Sequence, residues 1–138
     1  DMAKYTKLDP SALEVLKTLK SAGYKLGLLT NGDIETQYLK IDVVKLRPYF
    51  DVVMASLESG AMKPDPLPFI TIANKLGVRK EECLYVGDVF FSDALGAKRS
   101  NMDYLLINNH RKRYYAPFVK QVKTLKEVLS YLNEKGLN

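Results

Sequence analysis

Two carboxylates five positions apart, Asp88 and Asp93, sit in "YVGDVFFSDALGAKRS" (Tyr85 to Ser100), just where an apolar run breaks at Gly87. Like charges so placed repel each other unless something positive lies near them. Hard oxygen ligands of this kind suit Mg²⁺, which takes one or two carboxylates, keeps several waters and accepts phosphate oxygens. The alternative is structural: Asp88 caps the helix that follows and Asp93 faces solvent on its first turn. Two other stretches carry groups of the complementary kind. Thr30, Asn31 and Gly32 offer a hydroxyl and exposed backbone N–H groups suited to phosphate oxygens, or simply form a turn. Lys63, in a loop restrained by Pro64 and Pro66, can bring an ammonium to a phosphoryl group, or be an ordinary surface lysine.

The elements that must position these groups follow from periodicity. After Asp9-Pro10-Ser11, Ala12, Val15, Leu16 and Leu19 recur at helical spacing, and Gly23 is placed to end the helix. "YKLGLLT" (Tyr24 to Thr30) reads as a short buried strand, and a second helix is expected from Glu35 to Lys45. "FDVVMAS" (Phe50 to Ser56) is a further strand, and "LPFITIANKLG" (Leu67 to Gly77) a helix that tolerates proline in its first turn. "CLYVGD" is strand, "FFSDALGAKRSN" mostly helix, "DYLLIN" strand, and "TLKEVLSYLNEKG" a closing amphipathic helix. Strands alternating with helices call for an α/β fold with a parallel sheet covered on both faces. Ligands in such folds bind beyond the carboxyl ends of the strands. Thr30, Lys63 and Asp88 each follow a predicted strand.

A chain of 138 residues is one ordinary domain, long enough to bury a core without disulfides. With one cysteine, Cys83, and one histidine, His110, neither an internal disulfide nor a Cys/His zinc site is expected. Both point to a reducing, cytoplasmic setting. No apolar run reaches the roughly 18 residues of a spanning helix, and the start "DMAKYTKLDP" has no signal-peptide core. The net charge of +5 is spread along the chain, and only "HRKRYY" (His110 to Tyr115) mixes basic and aromatic residues as a nucleic-acid groove does. That reading ranks below a plain loop.

Thr-Asn-Gly, then Lys-Pro, then Gly-Asp-x-x-x-x-Asp, each after a strand and in this order, resembles the haloacid dehalogenase superfamily of hydrolases. The resemblance runs from the helix at Ser11 to the closing helix. It implies a Rossmann-like three-layer fold and Mg²⁺-dependent phosphatase activity on small phosphorylated substrates. By motif, Thr30 would hydrogen-bond the phosphoryl group with help from the Asn31 backbone, and Lys63 would neutralise charge there. Asp88 would bind Mg²⁺, directly or through water, and Asp93 would orient the metal shell.

One part of the family pattern is missing. Its aspartate nucleophile, with a second aspartate two positions on, ends a first strand upstream of Thr30, and no such D-x-D follows an apolar strand here. Asp9 lies at a helix start, Asp51 begins a strand, and Asp65 is followed by Pro66 and Leu67. The expectation is therefore a C-terminal portion of the core, lacking first strand and cap, inactive alone and completed by an N-terminal segment or another chain. The family's missing strand would lie between those ending near Thr30 and Asp88. A non-catalytic binding or assembly module is the competing reading. Phe90 and Phe91 between the acids are bulkier than the family norm, and Asn108, Asn109 and Arg111 could border the pocket.

Overall fold

Among the described residues, five short parallel strands and four α-helices form the framework. A computed structural model describes residues 11–31, 46–107 and 120–134. The expected helix from Glu35 to Lys45, Gly32, Asn108, Asn109, Arg111 and the "HRKRYY" run all lie outside the described residues. No described helix is long and apolar enough to cross a membrane.

Helix α1 (Ala12–Ser21) begins at the expected place and turns Ala12 and Val15 inward. Strand β1 (Gly27–Thr30) occupies only the last four residues of the run expected from Tyr24, and β2 (Val52–Ala55) the centre of the run from Phe50 to Ser56. Helix α2 (Pro66–Leu76) starts where Asp65 accepts a hydrogen bond from the Leu67 N–H at 2.9 Å. Pro66 and Pro68 fit its first turn because those N–H groups have no helical partner to lose.

Strand β3 (Leu84–Gly87) leads into a π-helical turn (Phe90–Ala94) and the short helix α3 (Leu95–Arg99). Strand β4 (Asp103–Ile107) and a three-residue β5 (Lys120–Val122) precede α4 (Glu127–Glu134). The last helix is anchored at its start, where the Glu127 carboxylate accepts from the backbone N–H groups of Lys123 and Thr124 and from the Thr124 hydroxyl. Thr124 and Glu127 thus carry the spacing of a capping box. Strand β5 was not foreseen: three residues with two lysine- and glutamine-bearing exposed positions give no apolar alternation to read.

The strands form two parallel ladders, β1 with β2 and β3 with β4 with β5. Among the described residues no ladder joins β1 to β3. What spans the two is packing: Leu29 and Met54 share one core with Phe69, Ile72 and Ala73 of α2, Ala94 and Ala97 beside it, and Tyr104 and Leu106 of β4. The other face of β4 presents Leu105 to Val128 and Leu132 of α4, with Leu19 of α1 alongside. This alternation along β4 is what a strand covered on both sides requires.

Where α1 meets the start of β2, the Lys20 ammonium pairs with Asp51, whose other oxygen accepts from the Leu26 N–H at 2.8 Å. The Lys20 hydrogen bond and the Leu26 N–H hold the Asp51 carboxyl below its ordinary value of 3.8. A lowered folded pKa adds stability that is complete above 3.8 and is lost as pH falls through the folded value. Asp51→Asn should therefore flatten part of the acid side of a plot of urea midpoint against pH. An unchanged acid limb would show that this pair contributes nothing in solution.

Candidate active site

Lys63 is the centre of the site, and the sequence offered little reason to expect that it is buried. Only 9% of the residue is exposed. Its ammonium lies 2.7 Å from Asp93 Oδ1, with both side chains 6% exposed. Its backbone N–H donates to Asn31 Oδ1 at 3.0 Å, which ties the loop to the end of β1. Lys63 thus meets the residue that follows β1 through its backbone and the turn that follows β3 through its side chain.

Asp93 reaches this position because the π-helical turn brings it back beneath the end of β3. The Val89 N–H donates to Asp93 Oδ2 at 3.1 Å, and the Asp93 N–H returns to the Val89 carbonyl at 3.0 Å. Both carboxylate oxygens therefore have donors, a requirement for a buried charge. Gly87 makes room for it: a Cβ there would stand 2.5 Å from Asp93 Oδ2. The glycine of the Gly-Asp pair is needed for close approach.

Two tyrosines that the motif reading passed over complete the surround. Tyr85 and Tyr104 are direct partners across β3 and β4, their rings stacked with centroids 6.1 Å apart. The Tyr85 hydroxyl lies 3.3 Å from Lys63 Nζ and 3.4 Å from Asp93 Oδ1. The Tyr104 hydroxyl donates to the Gly87 carbonyl at 3.1 Å. Their signal in the sequence was a phenol at matching positions of two otherwise aliphatic strands.

Thr30 stands at the carboxyl end of β1 and Asp88, exposed, immediately beyond β3. The structure thus brings Asn31, Lys63 and Asp93 into contact and puts Thr30 and Asp88 at strand ends on the same side of the fold. Phe90 packs against the core, whereas Phe91 is 61% exposed. A separate cleft of about 310 Å³, edged by Lys98, Asn101, Lys120 and Tyr131, opens at the amino ends of β4 and β5, the opposite side.

For Mg²⁺ the chain offers a sparse donor set. Among the described residues no three Asp, Glu, His or Cys side chains gather as a metal cage. Asp93 is engaged by Lys63 and Val89, and the exposed Asp88 is the carboxylate at the rim. Such a set fits an ion that retains water and takes oxygens from substrate, as Mg²⁺ does, and does not fit a site built wholly from protein ligands.

Parallel strands between helical layers, with a buried Lys–Asp pair at their carboxyl ends, define a Rossmann-like hydrolase core. The model of the haloacid dehalogenase-like hydrolase family matches residues 2–101, and the chain belongs to that family. A glyceraldehyde 3-phosphate phosphatase of Methanopyrus kandleri is 39% identical over 98 residues, 71% of this chain and 42% of the relative. The Pyrococcus furiosus protein of the same name is 32% identical over 94% of this chain and 57% of its own length. The crystal structure of a HAD phosphatase from Thermococcus onnurineus superposes with a TM-score of 0.81 at 35% identity, over 91% of this chain and 58% of that one. The chain spans about half the length of the relatives it matches.

Proposed function

We propose that this chain carries the phosphate- and magnesium-binding part of a phosphomonoester hydrolase acting on a small phosphorylated substrate. The observation that carries the reading is the Lys63 ammonium, held by Asp93 and Tyr85 at the carboxyl ends of the strands. An ammonium kept out of bulk water interacts with a phosphoryl oxygen far more strongly than a solvated one. The names of the Methanopyrus and Pyrococcus relatives support the same class of substrate.

In this reading the Thr30 hydroxyl and the Asn31 backbone, with Gly32, hold phosphoryl oxygens, and Lys63 balances their charge. Asp88 holds Mg²⁺, which when bound offsets the remaining negative charge on the phosphate. Asp93 fixes Lys63 and orients the shell of the metal. An aspartate carboxylate from a segment outside this sequence attacks phosphorus, the ester P–O bond breaks, and the leaving oxygen takes a proton. Water then releases phosphate and regenerates the carboxylate. Support for a supplied segment comes from β1 and β3, which share no ladder among the described residues, and from the share of the relatives that the chain spans.

The test is hydrolysis of a generic aryl phosphate with Mg²⁺, by the 138-residue chain and by the same chain completed with its upstream sequence. The completed protein should be active, should lose activity with a chelator, and should fall at least a hundredfold with Lys63→Met, the order expected when a charge-stabilising donor is lost. The chain alone should be inactive. Activity of the short chain would refute the supplied nucleophile. Inactivity of both would favour a non-catalytic module, the reading consistent with a sequence in which no D-x-D follows an apolar strand.

A further inference from the structure

We propose that Tyr85 is a positioning residue whose hydroxyl aims the Lys63 ammonium. An ammonium has three N–H donors and turns freely unless they are occupied. Asp93 Oδ1, at 2.7 Å, takes one and sets the rotor only as tightly as that one bond resists bending. The Tyr85 hydroxyl, at 3.3 Å, takes a second and narrows the swing of the rotor, and with it the direction of the third N–H. That remaining donor is the one available to an anion.

The proton arrangement is consistent around the triangle. Lys63 donates to both the Asp93 carboxylate and the Tyr85 oxygen, and the Tyr85 O–H, 3.4 Å from Asp93 Oδ1, donates there. The contacts to Tyr85 are long, so the charge pair supplies most of the attraction and the phenol supplies direction. The ring itself cannot swing away. It is held between Phe69, at 4.9 Å between centroids, and Tyr104, at 6.1 Å.

The ligand class, a phosphoryl anion, rests on the proposed function, whereas the orientation of the ammonium does not, and one experiment separates them. In the 138-residue chain labelled with ¹⁵N-lysine, Tyr85→Phe keeps the ring and deletes only the hydroxyl. Exchange of the Lys63 ammonium protons with water should rise about tenfold, and inorganic phosphate should bind about tenfold more weakly, the low end for a hydrogen bond to a charged group. The thermal midpoint should stay within about 4 °C. Unchanged exchange, or equal phosphate affinity in variant and parent, overturns the proposal. So does a larger fall in the midpoint, which would make Tyr85 a structural residue. Faster exchange with no phosphate binding by either protein upholds the positioning and refutes the phosphoryl reading.

Discussion

Asp93→Ala is expected to destabilise the protein by about 3–5 kcal/mol in urea unfolding at neutral pH, the cost of leaving a buried charge without its partner. The Lys63 side chain is only 6% exposed, so removing Asp93 leaves its ammonium without a countercharge in a buried place. Asp93→Asn tests the two halves of the carboxylate separately. An amide has one acceptor oxygen, while Asp93 serves Lys63 on one oxygen and the Val89 N–H on the other. This variant should lose about as much as the alanine change, because the countercharge is gone in both. Adding Lys63→Met to Asp93→Asn should recover most of the loss, since a buried ion pair replaced on both sides is often close to neutral. A loss below about 1 kcal/mol for Asp93→Ala would mean that the pair is solvated and the site open.

The second large effect concerns a residue far simpler than any in the site. Gly96 lies in α3 where a Cβ would fall 2.2 Å from the Phe69 ring, and Phe69 is fully buried. In an exposed helix, glycine to alanine stabilises by roughly 0.5–1 kcal/mol. Here the clash outweighs that gain, and Gly96→Ala should destabilise by about 1–3 kcal/mol, the usual range for overpacking. Because Phe69 also braces Tyr85, the same change should disturb the ammonium at Lys63. Phe69→Leu in the Gly96→Ala background should return part of the stability by clearing the contact. If Gly96→Ala proves neutral or stabilising in urea unfolding, α2 and α3 are not packed as closely as the structure has them.

Much of the framework was legible because the elements carry strong patterns. The helix at Ala12 announces itself through apolar spacing between Ser11 and Gly23, and the helix from Leu67 tolerates its early proline; the structure places α1 at Ala12 and starts α2 one residue earlier, at Pro66. Four of the five described strands were found but drawn too long, and β5 was missed. Tyr24, Lys25 and Leu26 look like strand residues, yet their backbone leads from α1 toward β1 and the chain joins the ladder only from Gly27 onward. Burial decides such boundaries, and a sequence does not display it. The site shows the same division. Thr30, Lys63, Asp88 and Asp93 stood out by residue type and order, whereas the contact of Lys63 with Asp93 depends on a π-helical turn that no local pattern signals. Asp93 was expected to serve a metal, and the structure gives it Lys63 and Val89 as partners. Tyr85 escaped notice because a tyrosine within a strand is ordinary until its hydroxyl is seen to reach a charge.

The position of Lys63 across the two ladders gives it the character of a mechanical tie. Its backbone N–H is bonded to Asn31, just past β1, and its ammonium to Asp93, just past β3, so these two bonds bridge the ends of the two ladders. Thermodynamic coupling is reciprocal. On the proposed function, an anion that grips the ammonium is linked through these two bonds to the separation of β1 and β3. Occupancy of the site and registration of the two halves of the sheet are then one equilibrium seen from two ends.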